Sequence, residues 1–250
     1  MSAHGLPGVR TKAPIRWAAE LSGVREVSLE GAADLAFWRG RLAPLGLEPA
    51  AAGGEARVMV LAGDARFLGV RFRELSFCVL LQGRGAWREG GYLLGAFNSR
   101  RFFAFCERTF FSTPYRHGDV RVSVTAPAGM EVSVDGRVPF RAAMGHRDVG
   151  PLDEGGWEGP VFLPPRARGP ARVFFARLRG PTFTAPFDPS VDALALAPGP
   201  GDDAIRALAD SGFRGQSRSS RPGVHQDAGF IGTSLAAAIA AVVEDHHRHA

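Results

Sequence analysis

From residue 56 onward the chain is a succession of short stretches in which apolar and polar residues alternate: RVMVLA, RFLGVRFRELSFCVLLQG, GGYLLGAF, DVRVSVTA, MEVSVDG and RVPFRAA, bounded by Gly, Pro or Asp. Successive side chains on a strand point to opposite faces, so a period of two specifies half-buried β-strands and excludes a helical bundle. Asp135-Gly136 between two of the stretches is a tight-hairpin signal. Glycine and proline, 32 and 18 of 250 residues, recur without a period. They supply the turns of a mainly β protein with a few short helices, and they exclude collagen-like and low-complexity chains. A chain of this length buries a core without covalent staples.

Helical spacing is confined to short segments. Residues 32–42 carry Leu35, Trp38 and Leu42 on one face, with Asp34 at the start and Pro44-Leu45-Gly46 as a stop. SRRFFAFCERTFF reads as a short helix whose Phe102, Phe103, Phe105, Phe110 and Phe111 form a packing face, ended by Thr113-Pro114. Residues 151–170 read as a long loop with a short edge strand at 161–163, and DDAIRALADSGF as a helix with Asp202 and Asp203 at its positive end. The division expected is an irregular arm over 1–21, a β domain over 22–215, and a Ser/Arg/Gly linker followed by an Ala-rich helix over 216–250. That last helix is too short to span a bilayer and is expected to cover a barrel end or to mediate self-association into a homo-oligomer.

Charge and thiols narrow the function. There are 30 Lys and Arg against 25 Asp and Glu, and every cation except Lys12 is an arginine. The arginines are scattered rather than gathered into a stripe, so nucleic acid is not the expected partner. Imine chemistry would have to use Lys12, which sits in a Pro-flanked N-terminal stretch unsuited to burying an amine. Cys78 and Cys106 lie in apolar contexts and read as inert core thiols. The N-terminus has no apolar signal segment and no stretch is long and apolar enough to span a membrane, so a cytoplasmic, membrane-free protein is expected. No phosphate-cradling glycine loop, nucleophile elbow or paired Cys-x-x-Cys occurs, and no cofactor is expected. His246, His247 and His249 at the C-terminus read as an adventitious cluster, so no metal site is expected.

The residues that stand out are Arg71-Phe72-Arg73-Glu74 in an otherwise apolar strand, and Pro114-Tyr115-Arg116-His117-Gly118-Asp119 after the Phe-rich helix. Alternation sets Arg71, Arg73 and Ser76 outward and turns Glu74 and Phe72 inward. A carboxylate among Phe77, Val79 and Leu80 must find a donor, or its pKa rises until it becomes a proton-transfer group. Tyr115 either donates a proton or caps a core edge. Arg116 either anchors an anionic oxygen or pairs with Asp119 or Glu107. His117 either donates a proton or lies on a surface turn, and Glu107 reads as a solvated helix charge.

These residues, with the preceding Ala-Pro-Leu-Gly-Leu helix end and the following Gly-Asp-x-Arg-Val strand, resemble the acetoacetate decarboxylase-like superfamily over about residues 22–215. The resemblance implies a cone-like antiparallel β barrel around a central pocket. In that superfamily two adjacent lysines follow the proline and one forms a Schiff base, while an inward glutamate shapes the site. Glu74 stands in the glutamate's place, but Tyr115 and Arg116 stand where the lysines would be. The pattern resembles an uncharacterised branch that keeps the barrel without the lysine pair. A lysine-independent enzyme is therefore expected, acting on a carboxylated, keto or polyketide-like small molecule, with Glu74 as base, Tyr115 and His117 as candidate donors and Arg116 as anchor. The alternative is a non-catalytic ligand-binding or interaction barrel.

Overall fold

The computed structural model describes residues 16–83, 89–125, 127–145, 152–165 and 173–230. In chain order these form β1 (Arg16–Ala33), α1 (Leu35–Leu42), β2 (Ala51–Ala52), β3 (Glu55–Phe67), β4 (Val70–Gln82), β5 (Glu89–Asn98), α2 (Arg101–Cys106), β6 (Tyr115–His117), β7 (Asp119–Ser123), β8 (Ala128–Val134), β9 (Arg137–Met144), β10 (Leu152–Phe162), β11 (Val173–Pro186), β12 (Asp192–Leu196), α3 (Asp203–Asp210) and β13 (Arg214–Phe230). Lys12 and the C-terminal segment with His246, His247 and His249 lie outside the described residues.

The hydrogen-bonded order β1-β13-β11-β10-β5-β4-β3 closes into a ring because β1 also pairs with β3. Closure removes the exposed edges that an open sheet of this size would carry. A second sheet, β12-β9-β8-β7, packs against the ring through a shared apolar core. Between them lies the main core, where Phe77 of β4 meets Phe140 of β9 edge-on at 5.2 Å. Trp38 and Leu42 of α1 and Ile205 and Leu208 of α3 complete it. Asp34 caps α1 by accepting from the Phe37 amide at 2.7 Å.

Several local expectations are revised. The stretch RFLGVRF is not one strand: it turns at Leu68-Gly69, with both φ angles positive (50° and 80°), and Phe67 pairs directly with Val70. That is the mirror-image two-residue turn whose twist matches the flanking strands. Residues 152–160, expected as loop, are one strand, β10, with the expected strand residues 161 and 162, because each of residues 152–162 pairs with a β11 residue from Phe183 back to Val173. The expected linker and the end of the expected arm pair with each other as well. Residues 214–230 form β13 and residues 16–21 belong to β1, paired antiparallel from Arg16 with Phe230 to Ala32 with Arg214 with several register shifts between. Backbone pairing, which composition does not report, decides these segments. The Phe-rich face is also different: only Phe103 packs inward, edge-on to Phe72 at 5.4 Å, whereas Phe102, Phe105 and Phe110 are exposed. Among the described residues no helix is long and apolar enough to cross a membrane.

Candidate functional site

Ring closure gives the strands an inner face as well as the outer face that supplies the core. On β4, Leu75, Phe77, Val79 and Leu81 point to the core, so Glu74, Ser76 and Cys78 point the other way. Ser76 thus shares the face of Glu74 and not, as expected, that of Arg71 and Arg73; it sits two residues along from Glu74. Registers continue this inner face across the ring: Arg221 of β13 opposes Glu26 of β1, Glu26 opposes Gly63 of β3, and Gly63 opposes Glu74. Gly63 leaves room between the two carboxylates. A Cβ added there would meet only Glu74 Cγ, at 3.9 Å.

Glu74 is partnered by Tyr115, whose hydroxyl donates to Oε2 at 3.0 Å. Tyr115 reaches it because β6 adds in parallel beside β5, matching Tyr115 to Ala96, which itself opposes Ser76. Among the described residues no arginine pairs with Glu74. Burial therefore dominates and pushes its pKa up to about 7, with the Tyr115 bond opposing and the Glu107 and Glu26 charges adding to the rise. The Tyr115 phenol is raised well above its ordinary value by burial and then by the neighbouring Glu74. Burial, then the Glu74 charge, pushes the Cys78 thiol up to about 12. Leu93, Ala96, Val161 and Leu163, with Trp157 and Phe174, form the apolar wall beside Tyr115.

Glu107 is not a solvated helix charge. It stands in the π-helical turn Glu107–Phe111 after α2 and accepts from the buried Thr113 hydroxyl at 2.8 Å. Burial raises its pKa, and the Thr113 bond opposes the rise.

Arg116 and His117 do not join this group. Arg116 follows Tyr115 on a strand and so faces the opposite side, where its guanidinium lies 5.5 Å over the Phe97 ring and donates to Asp202 Oδ1 at 2.9 Å. The partner is Asp202, neither Asp119 nor Glu107. Burial would raise the Asp202 pKa, but the Gly199 amide, Arg116 and Arg137 outweigh it and hold it low. His117 is exposed and in register with Asn98. Arg71 and Arg73 also face outward, gathered with Arg25 around the buried Asp64: Arg25 donates at 2.8 Å, Arg71 is bidentate, and Arg73 stands at 3.6 Å. The Arg71 bonds, above all, hold Asp64 down to about 2.

The inner face holds a second polar group that sequence reasoning missed. Glu26, 1% exposed, pairs with Arg221, which also donates to Thr182 Oγ1 at 3.0 Å and to Ser28 Oγ at 3.5 Å. Burial raises the Glu26 pKa against the attraction of Arg221. Alternation in VREVSLE does separate Val27 and Leu29 from Glu26 and Ser28, but an open sheet would turn the second set to solvent. Among the described residues no cluster of metal-ligating side chains occurs.

No family model matches the sequence, and no curated protein matches it by sequence. Solved structures do match in shape. An acetoacetate decarboxylase from Legionella pneumophila is similar with TM-score 0.64 at 18% identity, over 94% of this chain and 99% of that one. The enduracididine biosynthesis enzyme MppR complexed with pyruvate is similar with TM-score 0.62 at 16% identity, over 90% and 93%. An acetoacetate decarboxylase-like enzyme from Sphingomonas wittichii RW1 is similar with TM-score 0.61 at 15% identity, over 87% and 92%. The closed ring, the inward Glu74 and these likenesses together identify the architecture of this chain as the acetoacetate decarboxylase-like fold.

Proposed function

We propose that the interior of the ring is a small-molecule site in which Glu74 moves a proton at the carbon next to a carbonyl, without an imine. The observation that carries this reading is the Tyr115–Glu74 hydrogen bond of 3.0 Å beside Gly63, whose backbone carries no side chain and would accept a Cβ without a clash. A carboxyl with a pKa of about 7 is poised to take and return a proton near neutrality. Tyr115 occupies Oε2 and leaves Oε1 to face the substrate. In the step proposed, the C–H bond breaks, its proton passes to Oε1, and the electron pair spreads onto the carbonyl oxygen; return of the proton regenerates the carbonyl compound. An imine route requires an amine, and the only lysine in the sequence is Lys12.

Substrates of the oxo-acid class fit this chemistry, and the similar structure of MppR holds pyruvate. The test follows exchange of C3 protons for deuterium by NMR in pyruvate, 2-oxoglutarate and phenylpyruvate. Exchange is expected with the wild-type protein, with Glu74→Gln slowing it by about 100-fold or more. Equal exchange with and without Glu74 overturns the assignment. Saturable binding with no exchange favours the non-catalytic ligand-binding barrel.

A further inference from the structure

Arg221 and Glu26 face each other across β13 and β1 inside the ring, where a charged pair adds nothing to the apolar core and loses its hydration. Glu26 and its neighbours Ser28 and Thr182 are buried, at 1%, 5% and 5% exposure. The guanidinium is only partly used. Nη1 donates to Glu26 and Ser28 and Nε to Thr182, but Nη2 makes no hydrogen bond among the described residues while the side chain keeps 16% exposure. Ser28 accepts from Arg221 and has its own hydroxyl hydrogen to give. One strand further on, Gly63 places no side chain between this pair and Glu74, and a Cβ there would meet Glu74 Cγ at 3.9 Å.

A guanidinium with one nitrogen still free, next to a hydroxyl donor and a backbone position that carries no side chain, can receive a carboxylate oxygen. We infer that Arg221, with the Ser28 hydroxyl, holds the carboxylate of the ligand while the rest of the ligand lies over Gly63 toward Glu74. This rests on the reading of the interior as a small-molecule site. It assigns the anchoring role to β13, where Arg116 cannot serve because it is committed to Asp202 on the other side of the sheet.

The test is calorimetric titration of pyruvate, 2-oxoglutarate and phenylpyruvate into the wild-type protein and three variants. Because Arg221→Gln alone leaves Glu26 buried and unpaired, the variant used is the double Glu26→Gln/Arg221→Gln, with its thermal melt as the folding control. Gly63→Leu places a side chain between this pair and Glu74 at a backbone position that accepts a Cβ, and Glu74→Gln separates binding from chemistry. At least one oxo acid is expected to bind the wild type and Glu74→Gln alike, with affinity falling at least about 10-fold in the double variant and lost in Gly63→Leu. Unchanged affinity in a folded double variant overturns the assignment, as does absence of saturable binding of all three to the wild type. Arg221-dependent binding without proton exchange would sink the catalytic reading alone, whereas binding and exchange that survive in the double variant would sink the Arg221 assignment alone.

Discussion

Tyr115 donates its hydroxyl to Glu74 Oε2 at 3.0 Å, joining a short parallel strand to a long antiparallel one across the intervening β5. Among the described residues that bond is the one interaction favouring the charged carboxylate against burial and two other carboxylates. Tyr115→Phe should therefore move the Glu74 midpoint above about 7. Carboxyl carbon NMR on glutamate-labelled protein, with Glu74→Gln assigning the signal, measures it; a midpoint that stays or falls contradicts the electrostatics described.

Stability should carry the mark of the same carboxyl. Its folded pKa is raised from 4.5 to about 7, so the folded protein keeps a proton that the unfolded chain releases. Stability attributable to Glu74 is full below about pH 4.5, falls as pH rises toward 7, and is level above that. Glu74→Gln lacks this loss. Its stability relative to wild type should improve from pH 5 to pH 8 by on the order of 1–3 kcal/mol in urea titrations, and a constant difference would contradict the burial of a titrating carboxyl.

Asp64 works in the opposite sense. Arg71 first, then Arg25, depress its pKa from 3.8 to about 2, so its contribution is complete above about pH 4 and is lost as pH falls toward 2. Asp64→Asn leaves Arg25, Arg71 and Arg73 facing one another and should cost about 1–2 kcal/mol at pH 7. The gap from wild type should close in acid unfolding below about pH 4.

Arg116→Ala should leave oxo-acid binding unchanged and lower stability by about 1–2 kcal/mol. The side chain of Asp202 is fully buried, with Arg137 at 3.3 Å as its remaining cation. Loss of ligand binding with a normal melting temperature would return Arg116 to the site.

Leu68 is 86% exposed and holds a left-handed backbone angle that leucine resists. Leu68→Asn produces the Asn-Gly pair that this turn favours and should stabilise the protein by about 1 kcal/mol, a rise in melting temperature of roughly 2–4 °C. No gain, or a loss, would argue against the mirror-image turn.

Much of the architecture is written locally. Alternation in RVMVLA and SFCVLL identifies β3 and β4, Asp34 marks the start of α1, and Asp135-Gly136 is the hairpin between β8 and β9. Glu74 could be singled out as a carboxylate in an apolar strand, and Tyr115 by its place after Pro114. The sequence also determined, through its single lysine, which chemistry is hard to support.

The tertiary structure decided everything that depends on closure. Pairing of β1 with both β3 and β13 turns a polar sheet face, which an open sheet would give to water, into an interior. Closure is what buries Glu26 and gives Arg221 a partner 195 residues away in the chain, out of a segment with the composition of a linker. It likewise sends Tyr115 inward and Arg116 outward, because adjacent strand residues cannot share a face, and the π-helical turn carries Glu107 from an apparent surface helix into the field of Glu74. Sequence periodicity reports which residues share a face; only the path of the backbone hydrogen bonds around the ring decides what that face meets.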